Sequence, residues 1–177
     1  MKHALLAAYL AFAALSPAAA SAQSTYTQEQ AKQDIGKVIE AFRTAILEKD
    51  KPKFLALFPA SGPVAWQSVI GDDNLRHLRL KRPEAGKANY NPKYSHLNFI
   101  DGIVADKEHS EETFDDIRID TDGDVASVGF DYRFLQDGRE TNRGRETWSL
   151  VRTDAGWKIV SVVWSMRWEI KPEATSK

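Results

Sequence analysis

Residues 111–168 read EETFDDIRIDTDGDVASVGFDYRFLQDGRETNRGRETWSLVRTDAGWKIVSVVWSMRW. Apolar residues recur here with a period of two, as in strands with one buried face. Three turn signals interrupt the pattern: Asp122-Gly123, Asp137-Gly138 and Asp154-Ala155-Gly156. Asp and Gly suit the tight connections that such hairpins need. The spacing predicts strands over 113–120, 125–135, 143–152 and 157–168, joined as an antiparallel meander.

Toward the N-terminus the period lengthens. Ile35, Val38, Ile39, Phe42, Ile46 and Leu47 recur at three and four residues, so they share one helix face. Glu40, Arg43, Glu48 and Lys49 fall opposite them. Thr27 followed by Gln30 matches a capping box at the helix start. Asp50 and Pro52 open a second, short helix carrying Phe54, Leu55, Leu57 and Phe58. A short strand is expected over 64–70, with Trp66 inside it. Segment 71–93 reads as a partial helix or strand followed by a loop. A third helix is expected over 95–106, with Leu97, Phe99, Ile100, Ile103 and Val104 inward. Helices first and an antiparallel sheet after make an α+β domain.

The first 22 residues carry a different signal. Lys2 precedes an apolar run over 4–15, Ser16-Pro17 breaks it, and Ala20-Ser21-Ala22 follows. These are the parts of a cleavable secretion signal, with cleavage expected after Ala22. The run falls short of the ~20 residues that a membrane-spanning helix needs, so no stable membrane anchor is expected. The remaining residues, 23–177, form one domain with an ordered core over about 27–170. The chain has no Cys, so neither disulfides nor a lipidated cysteine contribute. The expected location is the periplasm or the exterior. Lys and Arg number 24 against 25 acidic residues, a balance that argues against a nucleic-acid partner.

With element order and motifs in place, the chain resembles the nuclear transport factor 2-like superfamily, in particular its bacterial SnoaL-like members. The resemblance covers nearly all of the domain. Its most specific stretch is GRETWSLVRTDAGWKIVSVVWS, from Gly144 to Ser165. It implies a cone, in which a curved antiparallel sheet wraps the N-terminal helices and leaves a cavity open at one end. Members of that superfamily include isomerases, dehydratases, cyclases and non-catalytic binding or assembly domains, so the fold does not transfer a function. Catalytic members place an Asp or a His–Asp pair in the cavity. The last strand here has Ser161, Val163 and Trp164 where several relatives carry His.

Candidate residues follow from alternation. In GFDYRF, Phe130, Tyr132 and Phe134 take one face, and Asp131 and Arg133 the other. If the polar face lines the cavity, Asp131 is a candidate general base and Arg133 an anion contact; if it faces solvent, both are surface charges. Arg145 joins them from the next strand, with Glu146 and Trp148 on the opposite face. His96, before the third helix, is a candidate proton carrier. Trp66, Tyr94 and Trp164 are expected to line a hydrophobic ligand site, with Tyr90 beside them. No two His share a metal-ligand spacing, so no metal is expected, and no cofactor. In the last strand both faces look apolar, which predicts a covering layer and hence a homodimer through the sheet. Three functions remain open: binding of a small hydrophobic molecule, a cofactor-free SnoaL-type proton-transfer enzyme, and an assembly domain.

Overall fold

A computed structural model describes residues 26–88 and 93–170. The proposed secretion signal and Tyr90 lie outside the described residues. Helix α1 spans Gln28–Leu47, α2 Lys51–Leu55, α3 Asp72–Arg79 and α4 His96–Ala105. Strands are β1 Ala65–Ile70, β2 Ser110–Thr121, β3 Val125–Gln136, β4 Arg139–Thr153 and β5 Gly156–Met166. The domain is α+β, with its helices against one curved sheet of order β1-β5-β4-β3-β2. None of the described helices is long and apolar enough to cross a membrane.

Local chemistry explains the elements. Thr27 and Gln30 form the expected capping box: the Gln30 amide donates to Thr27 Oγ1 at 3.1 Å, and the Thr27 amide to Gln30 Oε1 at 2.8 Å. Ala31, Ile35, Ile39, Phe42, Ala45 and Ile46 make the buried stripe of α1. Asp50 caps α2 by accepting the Lys53 amide at 2.9 Å. At the β3–β4 turn, Asp137 and Gly138 both take positive φ, 47° and 74°, as a two-residue turn matched to strand twist requires. In the described part of segment 71–93 the ambiguous reading resolves into α3. On α4, Ile100 and Ile103 are buried as expected, whereas Leu97 and Val104, expected inward, are exposed because they fall on the helix side away from the sheet. One pairing was not foreseen: β1 runs parallel to β5, with Trp66 opposite Val162. It closes the sheet on the far side of the meander.

Two β-bulges set which residues face inward. On β2 the register shifts between Asp115 and Arg118, where Asp116 takes φ 53° and Ile117 turns outward. On β5 the shift leaves Val160 as an extra residue, because Leu150 pairs with Ile159 while Ser149 pairs with Ser161. Trp157 and Ile159 face the core before this point, and Val162, Trp164 and Met166 face inward after it. The two apolar rows of the last strand therefore share one face. The homodimer expectation loses the premise it rested on, since no second apolar face of β5 needs covering.

The core sits in the narrow part of the curl. Phe42 of α1 meets Phe54 at 4.9 Å and Trp148 at 4.8 Å between ring centroids. Phe130 stands edge-on to Trp148 at 5.1 Å and tilted to Phe114 at 4.4 Å. Offset and edge contacts of this kind are the favoured aromatic geometries. Gly144 lies opposite Tyr132, and a Cβ there would sit 1.8 Å from the Ser165 carbonyl oxygen. The sheet curls so tightly at this point that the backbone of β5 takes the place of a side chain.

Candidate functional site

The packing loosens toward the wide end, between the sheet and α4. An inner chamber of about 180 Å³ opens beyond Phe42. An outer chamber of about 520 Å³ continues past Asn98, Tyr94 and Ser68. Trp66, Phe99, Phe134, Trp164 and Met166 line both, so the two form one aromatic passage. Trp66 packs edge-on to Trp164 at 5.4 Å and tilted to Phe99 at 5.3 Å. A wider depression of about 610 Å³ near Asp120, Asp122 and Ser127 has no buried ionisable group.

The inner chamber holds two carboxyl groups. Glu112 of β2 and Glu146 of β4 flank β3, and each is only 4 % exposed. Glu146 Oε1 accepts the indole N–H of Trp148 at 2.5 Å. Glu112 accepts no hydrogen bond from any described residue. Between them Tyr132 directs its hydroxyl to Asn142 Oδ1 at 2.8 Å and to the Ser165 carbonyl at 3.2 Å. Removing water disfavours the ionised forms, and each negative charge disfavours the other. Burial pushes Glu146 up to about 7, against a stabilising contribution from Trp148. Glu112 stands well above the usual carboxylate range, from burial first and the charge of Glu146 second. Burial, then the two nearby carboxylates, raise the Tyr132 phenol as well. The carboxyls titrate as a pair, which keeps a proton at neutral pH.

Alternation left open which face is concave, and the packing decides it. Phe130 and Tyr132 face inward; Asp131, Arg133 and Arg145 lie on the outer face. There Arg145 pairs with Asp131 at 3.3 Å and Arg133 with Asp115 at 3.5 Å, all with side chains about half exposed. Asp131 thus stands on the side away from the aromatic passage. Trp66 and Trp164 do line the passage, and Tyr94 stands at its mouth, 59 % exposed. His96 opens α4 and stacks on Phe58 at 4.4 Å, beside Trp66 at 6.3 Å. Its Nδ1 is buried without a partner, and burial lowers its pKa. Sequence reasoning brought the two tryptophans together but missed both glutamates. The available signal was parity: Glu146 shares a face with Trp148 and Leu150, and Glu112 with Phe114. Among the described residues no group of three His, Asp or Glu is placed to hold a metal ion.

Residues 89–169 match the family model of the SnoaL-like domain. Among solved structures, the chain is similar to a nuclear transport factor 2 (NTF2-like) superfamily protein from Salmonella enterica, at 18 % identity and TM-score 0.55 over 84 % of this chain and 98 % of that one. An NTF2-like protein of unknown function from Pseudomonas putida aligns at 13 % identity and TM-score 0.58, covering 82 % and 99 %. Another of unknown function, from Shewanella baltica, aligns at 18 % identity and TM-score 0.52, covering 80 % and 97 %. Curated proteins give no significant match. Likeness at these identities carries the fold and not an activity. The chain has the nuclear transport factor 2-like fold, and over residues 89–169 it matches the SnoaL-like domain.

Proposed function

We propose that this is a small-molecule-binding domain whose ligand enters past Tyr94 and lies in the aromatic passage with a polar end at Glu112 and Glu146. One observation carries the reading: the passage runs from solvent to two buried carboxyls that lack the full set of partners such groups need. Own side chains fill the narrow end of the cone but not this one, which speaks against a purely assembling role. Apolar walls with a few convergent polar groups are the usual composition of ligand sites. The proposal includes export by the segment 1–22, which rests on the sequence alone.

Occupancy is testable by tryptophan fluorescence, since Trp66 and Trp164 line the passage. Apolar ring compounds should change the emission saturably, and Trp164→Phe should reduce the change. Emission that stays constant across a ring-compound library would overturn the reading. A second function, cofactor-free proton transfer, is favoured by one feature: a carboxyl near pKa 7 beside one held protonated is an acid and a base in one chamber. Turnover would then be lost in Glu146→Gln with binding retained.

A further inference from the structure

The carboxyl pair has an electrostatic character that narrows the ligand class. Beside the two glutamates of β2 and β4, the other elements around the inner chamber contribute neutral groups: Phe42 from α1, Trp66 from β1, Phe99 from α4, Phe134 from β3, Trp164 from β5. Tyr132 is the further titratable group facing the pair, and its hydroxyl is engaged with Asn142 and Ser165. Arg167, whose charge reaches Tyr132, lies with Arg143 and Arg145 on the outer face of the sheet instead. Neither glutamate is paired with a basic side chain among the described residues. Glu112 is a buried acceptor aimed into the chamber with nothing to accept. Such a group is costly to leave unpaired, and a ligand that pairs it recovers that cost. Aromatic faces carry negative quadrupole potential, which adds to the preference for positive charge. A hard metal ion is a poor occupant, because it needs six or more oxygen ligands and the walls are carbon.

Resting on the binding reading above, we infer that the inner chamber takes an organic ammonium group, donating N–H bonds to Glu112 and Glu146, with its apolar body lying along Phe99 and Trp164 toward the mouth. Binding displaces the proton that the empty pair retains, so one positive charge replaces another and the net charge of the chamber is unchanged. Anionic ligands meet two carboxyls and are rejected.

Three probes of one skeleton separate the claims: benzylamine, benzyl alcohol and benzoate, titrated calorimetrically into the full chain at pH 8. Benzylamine should bind at least tenfold more tightly than benzyl alcohol, with proton release seen as a buffer-dependent heat, and benzoate should not bind. Glu112→Gln, nearly isosteric, should abolish the amine preference, with thermal unfolding confirming the fold. Equal affinity for amine and alcohol overturns the ammonium inference and leaves the cavity reading standing. Preference for benzoate, or an amine preference that survives in both Glu112→Gln and Glu146→Gln, also overturns it. Binding of none of the three by a folded protein sinks the inference and the cavity reading together.

Discussion

On the outer face of β3 and β4, Asp131 and Arg145 face each other across paired strands, both half exposed, at 3.3 Å. One residue further along the same strand, Glu146 points the other way and is 4 % exposed with an indole for its partner. The residue types are alike and the strand is shared. What differs is the medium. Water screens the outer pair, so its attraction is small and holding two long side chains together offsets much of it. The inner carboxyl has no water to replace a missing partner, so its protonation state is set by its neighbours. Charge on the outer face is a matter of solubility. On the inner face it is chemistry, and it has a cost in stability.

The contrast can be broken or sharpened by substitution. The largest effect is expected for Trp148→Ala, which removes a ring 1 % exposed and the N–H donor to Glu146 together. A loss of about 3–5 kcal/mol in denaturant unfolding is expected from the cavity alone. Next comes pH. The folded value of Glu146 is about 7 against an ordinary 4.5, so the native state binds more protons than the unfolded chain between these values. Stability is then fully present below about 4.5 and falls as pH rises through 7, by a few kcal/mol. Glu112, also raised, extends the loss upward. Thermal unfolding from pH 5 to 8 should show the midpoint falling, and Glu146→Gln should flatten the curve. A midpoint that rises over this range would show that the pair is ionised and satisfied in the native state.

Smaller effects test the geometry and the outer face. Gly144→Ala should cost about 1–3 kcal/mol, because its methyl meets the Ser165 carbonyl and the strands must part. Asp131→Ala and Arg145→Ala should each change unfolding free energy by less than about 1 kcal/mol, and the double variant should show little coupling. Ligand binding should be indifferent to both. If Asp131→Ala instead abolished binding while Glu112→Gln did not, the two faces would have been assigned the wrong way round.

The meander was legible because Asp-Gly turns and period-two alternation are local signals. The observed strands of 110–121, 125–136, 139–153 and 156–166 differ from the expected spans mainly at their ends. The capping box of α1 was legible for the same reason. The parallel seat of β1 beside β5 was not, since pairing across about 95 residues leaves no mark in either strand alone. The site was half legible. Trp66 and Trp164 declare themselves by size, whereas Glu112 and Glu146 resemble surface residues until the concave face is known. Alternation says that Asp131 and Glu146 lie on opposite faces, but it cannot say which face is inside. The bulge at Val160 hid the answer further, because it made the last strand look apolar on both sides.

That extra residue has a consequence for how the chain tolerates editing. Val160 acts as a phase marker: residues before it and after it keep the same inside only because one position is skipped. Losing a single codon there would restore strict alternation and leave Trp164 and Met166 facing in, whereas gaining one would invert everything downstream, carrying both out to solvent and Ser165 in. Most exchanges of one amino acid for another along β5 are milder than that insertion. Insertions should therefore collect in the turns and be purged from the middle of this strand, whereas loss of Val160 itself should be tolerated.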